Sequence, residues 1–170
     1  MIEPNKINEI AKKFDAQNNR FRIFLRNNAN SNELDSHFRR LHDEIFAEYD
    51  CCECANCCKT YDILVNKNDI TTIAVYLGQS EDDFINKYLA ANDEHTSADE
   101  EYQIRGKPCC FLGTDGKCAI QECKPLVCSD FPYTDKPNRL HNMLNLLDFA
   151  EDCPAVFEIL ERLKIIYNFM

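Results

Sequence analysis

The chain has 170 residues, 19 basic and 29 acidic side chains and a net charge of −10, with hydrophobic residues at 45% and charged residues at 28%. That composition fits a soluble globule with enough chain to bury a core, and its acidity argues against non-specific nucleic-acid binding, which needs Lys and Arg to neutralise phosphates. No run approaches a membrane span, and the start Met1-Ile2-Glu3-Pro4-Asn5-Lys6 has no apolar signal region, so neither insertion nor export is expected.

Helical spacing comes first along the chain. Ile7, Ile10, Phe14, Phe21, Phe24 and Leu25 fall near one face, which predicts a helix over roughly 6–27. The polar run from Asn27 to Asn32 breaks it. Leu34, Phe38, Leu41, Ile45 and Tyr49 predict a second helix, with Ser31 or Asn32 as its N-cap. The two are expected to form a helical hairpin over 1–48, with the Phe-rich stripe as core.

A cysteine octet follows at 51–58. Tyr61, Ile63 and Val65 alternate and predict a short extended segment. Asp69 is expected to cap a helix over 70–77, closed by a left-handed Gly78. Ser80-x-x-Asp83 resembles a capping box and opens a helix carrying Phe84, Tyr88 and Leu89. Residues 91–103 are polar and acidic and are expected to be a loop. Residues 105–137 hold five cysteines, three glycines and four prolines, so this stretch is loop-rich. Leu140, Leu144, Leu146 and Leu147 suit either a strand or a short helix. Cys153-Pro154 starts a last helix with Pro at its first position and a stripe of Phe157, Leu160, Leu163, Ile166 and Tyr167.

Cysteine carries the chemistry. Eleven cysteines without an export signal point to metal binding or redox chemistry, and the odd count fits badly with full internal pairing. Within the octet lies Cys51-x-x-Cys54-x-x-Cys57-Cys58. A Cys-x-x-Cys step lets two sulfurs converge through a tight turn, and thiolate is the soft ligand that Zn²⁺ and iron–sulfur clusters take. The repeated gap resembles the first three ligands of a bacterial ferredoxin run, although the ferredoxin's fourth Cys-Pro is not at that distance here. A second group comprises Cys109, Cys110, Cys118, Cys123 and Cys128, and Cys153 stands apart. Zinc is the rival metal, and charge does not separate the two, because four thiolates leave the same net charge around either. The blander alternatives are cysteines acting as small apolar residues, a disulfide network, and thiol–disulfide exchange at Cys54-x-x-Cys57, which lacks the strand–helix context of a redox motif.

Other signals are weaker. Gly113-x-x-Gly116-Lys117 is too short for a phosphate loop and is better explained as a turn between two ligands. His141 fits an ordinary partly exposed histidine better than a ligand. His37, His42 and His95 are expected to be solvated, as are the acidic pairs Asp82-Asp83 and Glu100-Glu101. Spacing alone assigns no catalytic role to Asp130.

The octet resembles the signature of the CxxCxxCC family, the YkgJ-like cysteine-cluster proteins, known as zinc- or iron-chelating domains. The resemblance continues through Asp69-Ile70, Ile73-Ala74, Leu77-Gly78, Phe84 and Tyr88-Leu89. It includes Pro108-Cys109-Cys110-Phe111-Leu112, Gly116-Lys117-Cys118-Ala119-Ile120, the block from Lys124 to Pro132, and Cys153-Pro154. It covers about residues 49–155. Two departures stand out. Ala55 takes the place of a frequent Gly, so Asn56 is expected to supply the left-handed residue. Lys124 replaces Arg, which exchanges a planar fork for a point charge.

The resemblance implies eight metal ligands: Cys51, Cys54, Cys57, Cys58, Cys109, Cys118, Cys128 and Cys153. Eight suits two four-thiolate sites, or one cluster with spare thiols. Cys52, Cys110 and Cys123 are additional to the family pattern. The expected fold is a mainly α, single small domain of helices clasping irregular cysteine-rich loops. Its parts would be an N-terminal hairpin over 1–48, a metal-binding domain over 49–155 and a C-terminal helix over 156–170. The expected cofactor is an iron–sulfur cluster, alternatively zinc as a structural module. Flagellin lysine N-methylase resembles the family through the same cysteine module, which implies an accessory or catalytic role as a further alternative. The chain is little longer than that module and has no Gly-rich nucleotide loop, so an enzyme is not the favoured reading. The expected location is cytoplasmic, with the metal as partner, no nucleic acid, no membrane, and a protein partner left open.

Overall fold

The computed structural model describes residues 1–92 and 102–169. In chain order, α1 spans Ile7–Asn28, α2 Ser31–Phe46, α3 Cys51–Cys54 and α4 Asn56–Thr60, followed by β1 at Leu64–Val65. Next come α5 at Lys67–Leu77, α6 at Glu81–Tyr88, β2 at Leu89–Ala91 and β3 at Tyr102–Ile104. α7 spans Leu126–Asp130, α8 Met143–Ala150 and α9 Pro154–Ile166. The fold is mainly α, as the helical spacing predicts. No described helix is long and apolar enough to cross a membrane. The chain divides into two compact units, Met1–Asp50 with Pro132–Met170, and Cys51–Phe131.

In the first unit α9 packs against α1, α2 and α8. Its sequence explains why. Val156, Leu160 and Leu163 are fully buried, and so are Ala155 and Ile159, which gives α9 a wider apolar face than the predicted stripe. Phe21 and Leu25 of α1, Leu34 and Phe38 of α2, and Leu146 of α8 have no exposed surface. The α8 segment settles as a helix: Met143, Leu146, Leu147 and Ala150 recur at helical spacing and are buried. α2 begins one residue earlier than the predicted caps, because the Asn30 side chain accepts from the N–H groups of Asn32 and Glu33. His37 and His42 are half-buried, not solvated. His42 Nδ1 lies 2.8 Å from the hydroxyl of buried Thr134, and the His37 ring meets Tyr167 edge-on. Asp35 ties the unit's two sequence segments together, accepting from the backbone N–H groups of Asn138 and Arg139 at 2.8 and 2.9 Å.

The second unit is built on a small antiparallel sheet of order β1-β3-β2, with Leu64 opposite Gln103 and Leu89 opposite Ile104. The predicted 91–103 loop is therefore strand at both ends; residues 93–101, with His95 and the Glu100-Glu101 pair, lie outside the described residues. Strands this short carry too little alternation to stand out in sequence. α5 is capped by Asn66, not Asp69. Asp69 is instead the third helical residue, and its carboxylate accepts from the Asn66 N–H while the Asn66 side chain accepts from its own N–H. Gly78 closes α5 at φ 67, as predicted. Ser80 caps α6, accepting from the Asp83 N–H. Val65, Ile73, Phe84, Leu89 and Ile120 form the buried core, with Phe111 stacked on Phe84.

Candidate metal centre

The octet folds as two short helices joined at Ala55, which adopts φ 51 and ψ 21. The left-handed residue is thus Ala55 itself and not Asn56, which already begins α4. An L-residue pays roughly 1–2 kcal/mol for this conformation, and the surrounding structure must supply it. Lys59 helps hold the reversal, its Nζ donating to the Cys54 carbonyl at 2.9 Å. Cys57 and Cys58 are adjacent on α4, with sulfurs 4.0 Å apart.

The second cysteine group is carried by a tight hairpin. Leu112 pairs with Cys118, the Gly113 N–H donates to the Lys117 carbonyl at 2.8 Å, and the Ala119 N–H donates to the Phe111 carbonyl at 2.8 Å. Gly113 and Gly116 make the turn. Two contacts seat the octet on this hairpin. The Cys109 N–H donates to the Cys58 carbonyl at 2.8 Å, and the Gly116 α-carbon lies directly against the Cys52 carbonyl. A 3₁₀ turn at Gln121–Cys123 then leads through Lys124-Pro125 into α7, which carries Cys128. Cys109, Cys118, Cys123 and Cys128 all pack, partly buried, against the same apolar core.

The thiols sense one another. Burial is the main force raising Cys109 to about 11 and Cys128 to about 12, and it also raises Cys118. Negative charge on neighbouring thiols adds to these shifts: Cys110, Cys58 and Cys118 act on Cys109, Cys58 acts on Cys118, and Cys58, Cys109 and Cys118 act on Cys128. Two backbone donors oppose the rise: the Phe111 N–H bonds to the Cys109 sulfur and the Ile120 N–H to the Cys118 sulfur. Each donor sits two residues after its cysteine, which lets a tight turn aim N–H at sulfur. Cys58 goes the other way, down to about 6, chiefly through its hydrogen bond with Cys57 and further through Lys124 and Lys59. Lys124 also lowers Cys118 and Cys128. The sequence marks Lys124 only as a departure from Arg. Its cation at the thiols is a functional feature that spacing alone does not reveal.

The predicted ligands thus divide. Cys58, Cys109, Cys118 and Cys128 belong to the second unit. Cys51, Cys54 and Cys57 belong to the same unit, and Cys153 lies buried at the N-cap of α9 in the first. Among the described residues, no group of three or more His, Cys, Asp or Glu side chains is placed so that it could hold a metal ion. The chemistry of the donor set nevertheless suits a soft metal: ten cysteines in one unit, partial burial, backbone N–H groups on sulfur and a nearby cation.

These features define a metal-chelating, cysteine-rich domain. The model of the CxxCxxCC family, described as "Putative zinc- or iron-chelating domain", matches residues 50–154. The chain belongs to the CxxCxxCC family. No curated protein and no solved structure matches it.

Proposed function

We propose that the chain coordinates an iron–sulfur cluster through thiolates drawn from Cys51, Cys54, Cys57, Cys58, Cys109, Cys118, Cys128 and Cys153. The observation that carries this reading is the seating of the octet on the hairpin, through the Cys109 N–H bond to the Cys58 carbonyl, with two backbone N–H groups on sulfur. The two-residue gaps of the octet, shared with ferredoxin runs, favour iron–sulfur. When bound, such a cluster supplies one-electron redox chemistry. The protein residues hold it, limit water around it and offset its charge through Lys124 and Lys59. Zinc is the second reading, favoured by the same hairpin, since four thiolates closing on one point satisfy Zn²⁺ without inorganic sulfide.

Anaerobic purification with metal and sulfide analysis tests the choice. Brown protein with broad absorption near ~400 nm and matched iron and sulfide is expected. Colourless protein with stoichiometric zinc selects the second reading. A well-folded chain that takes up neither overturns both.

A further inference from the structure

We propose that the outer face of α5 is a docking surface for a second copy of this chain, which covers it with the basic outer face of its α1. The inference goes beyond the metal-chelating reading and does not depend on it.

The apolar half of the contact lies on α5. Ile70, Ile73 and Ala74 turn into the core, yet Val75 is 75% exposed and Tyr76 50%. Thr71 and Thr72 share that outer face, so over its last two turns it carries no charge. Acid borders it on both sides. The Thr71 hydroxyl donates to the Glu81 carboxylate at the start of α6, and Thr71 sits one turn from Val75. Glu81 and its exposed neighbour Asp82 therefore flank Val75. On the other side the 3₁₀ turn at Gln121–Cys123 packs against α5 and carries the exposed Glu122. Leu126, whose N–H reaches Asp69 of α5, is 61% exposed and extends the apolar surface.

The outer face of α1 repeats this pattern with the opposite sign. Ile23 is 52% exposed, although Phe21 and Leu25 on either side of it are fully buried. Its neighbours three and four residues away are Asn19, Arg20, Arg26 and Asn27, with no acid among them. Arg20 and Arg26 are exposed, and among the described residues neither has a carboxylate partner. An isoleucine between two arginines thus matches an apolar strip between carboxylates. Each face leaves apolar surface in water that the other would cover, and like charge opposes pairing of either face with itself. A patch of this size gives a weak, salt-sensitive association.

Sedimentation equilibrium of the full chain tests this, under reducing conditions that prevent intermolecular disulfides. At low salt the mean mass is expected to rise above that of one chain as the concentration climbs toward ~1 mM, and to fall back as salt is added. Val75→Glu and Arg20→Glu/Arg26→Glu are each expected to weaken association at least about tenfold while keeping a cooperative urea transition. Asp82→Lys/Glu122→Lys is expected to weaken it likewise. Mixing that variant with Arg20→Glu/Arg26→Glu is expected to restore association, because the reversed charges then meet across the contact. A chain that stays monomeric throughout overturns the proposal. Association that survives Val75→Glu or the arginine reversal also overturns it, as does a mixture of the folded reversed variants that remains monomeric. Should either reversed variant not fold, Val75→Glu and the remaining one decide.

Discussion

The carbonyl oxygen of Cys52 occupies the space into which a side chain on Gly116 would project: a β-carbon there would lie 2.3 Å from it. Gly116 also holds φ 81, a conformation that costs any L-residue. Gly116→Ala is therefore expected to cost at least about 2 kcal/mol, from backbone strain plus a clash with main chain that cannot swing away. Gly113→Ala is a milder control, since its closest contact is the flexible Asp115 carboxylate. Urea unfolding of both variants checks this, and equal losses would contradict the backbone seat.

Ala55 offers the opposite sign. Its left-handed conformation is strained for alanine and free for glycine. Glycine gives back part of the gain through greater freedom in the unfolded chain. Ala55→Gly is expected to stabilise the metal-free protein by about 1 kcal/mol, read from the urea midpoint at unchanged slope. Destabilisation would mean that the turn is held for another reason.

Metal binding should release protons, and the count follows from the thiols. At pH 7.5 Cys58, with its value near 6, is already largely thiolate, whereas Cys109 near 11, Cys128 near 12 and the raised Cys118 are protonated. A metal held by Cys58, Cys109, Cys118 and Cys128 is then expected to expel about three protons, so apparent affinity climbs about a thousandfold per pH unit near neutrality. Calorimetry in buffers of different ionisation enthalpy reads the count directly. Release of one proton or fewer would contradict this ligand set.

The same shifts set the alkaline behaviour of the metal-free chain. Folded-state values raised above the unfolded one mean that the unfolded chain loses these protons first as pH rises. The stability contributed by Cys109 and Cys128 is full below about pH 9 and is lost as pH climbs toward their folded values. Cys58 works in reverse, its contribution being full above the unfolded thiol value and lost as pH falls through about 6. The metal-free chain is expected to weaken between pH 9 and 11, and Cys109→Ala/Cys128→Ala to weaken less steeply over that range. A flat urea midpoint for the unsubstituted chain would contradict it.

Lys124 acts through charge on Cys58, Cys118 and Cys128. Lys124→Met is expected to weaken Cd²⁺ binding about tenfold at low salt, within the usual span for groups just outside the ligand set. The loss should shrink as ionic strength rises, which mere loss of packing would not do. Lys124→Arg is expected to recover most of it.

Much of this was legible in the chain. Phe21, Leu25, Leu34 and Phe38 repeat at helical spacing, so α1 and α2 announce themselves and their buried faces follow. The cysteine blocks mark the metal-chelating region, which the family match covers at residues 50–154. What stayed hidden is set by contacts distant in sequence or by single backbone angles. The cap of α5 shifted because Asn66 and Asp69 are both competent and only reciprocal bonding decides between them. Strand β3 is three residues long and is recognisable only beside its partners. The seating of α4 on the hairpin runs through the Cys58 carbonyl, a backbone contact that no residue type announces.

Asp69 completes the cap of α5 and also reaches the first N–H of α7, with Leu126 donating to its Oδ1 at 3.4 Å. One carboxylate thus serves the starts of two helices, one of them bearing Cys128. Anything that anchors Cys128 also steadies the first turn of α5, a helix that holds no cysteine. Hydrogen exchange at the α5 amides is therefore expected to slow when a metal anchors Cys128 and to quicken when it leaves.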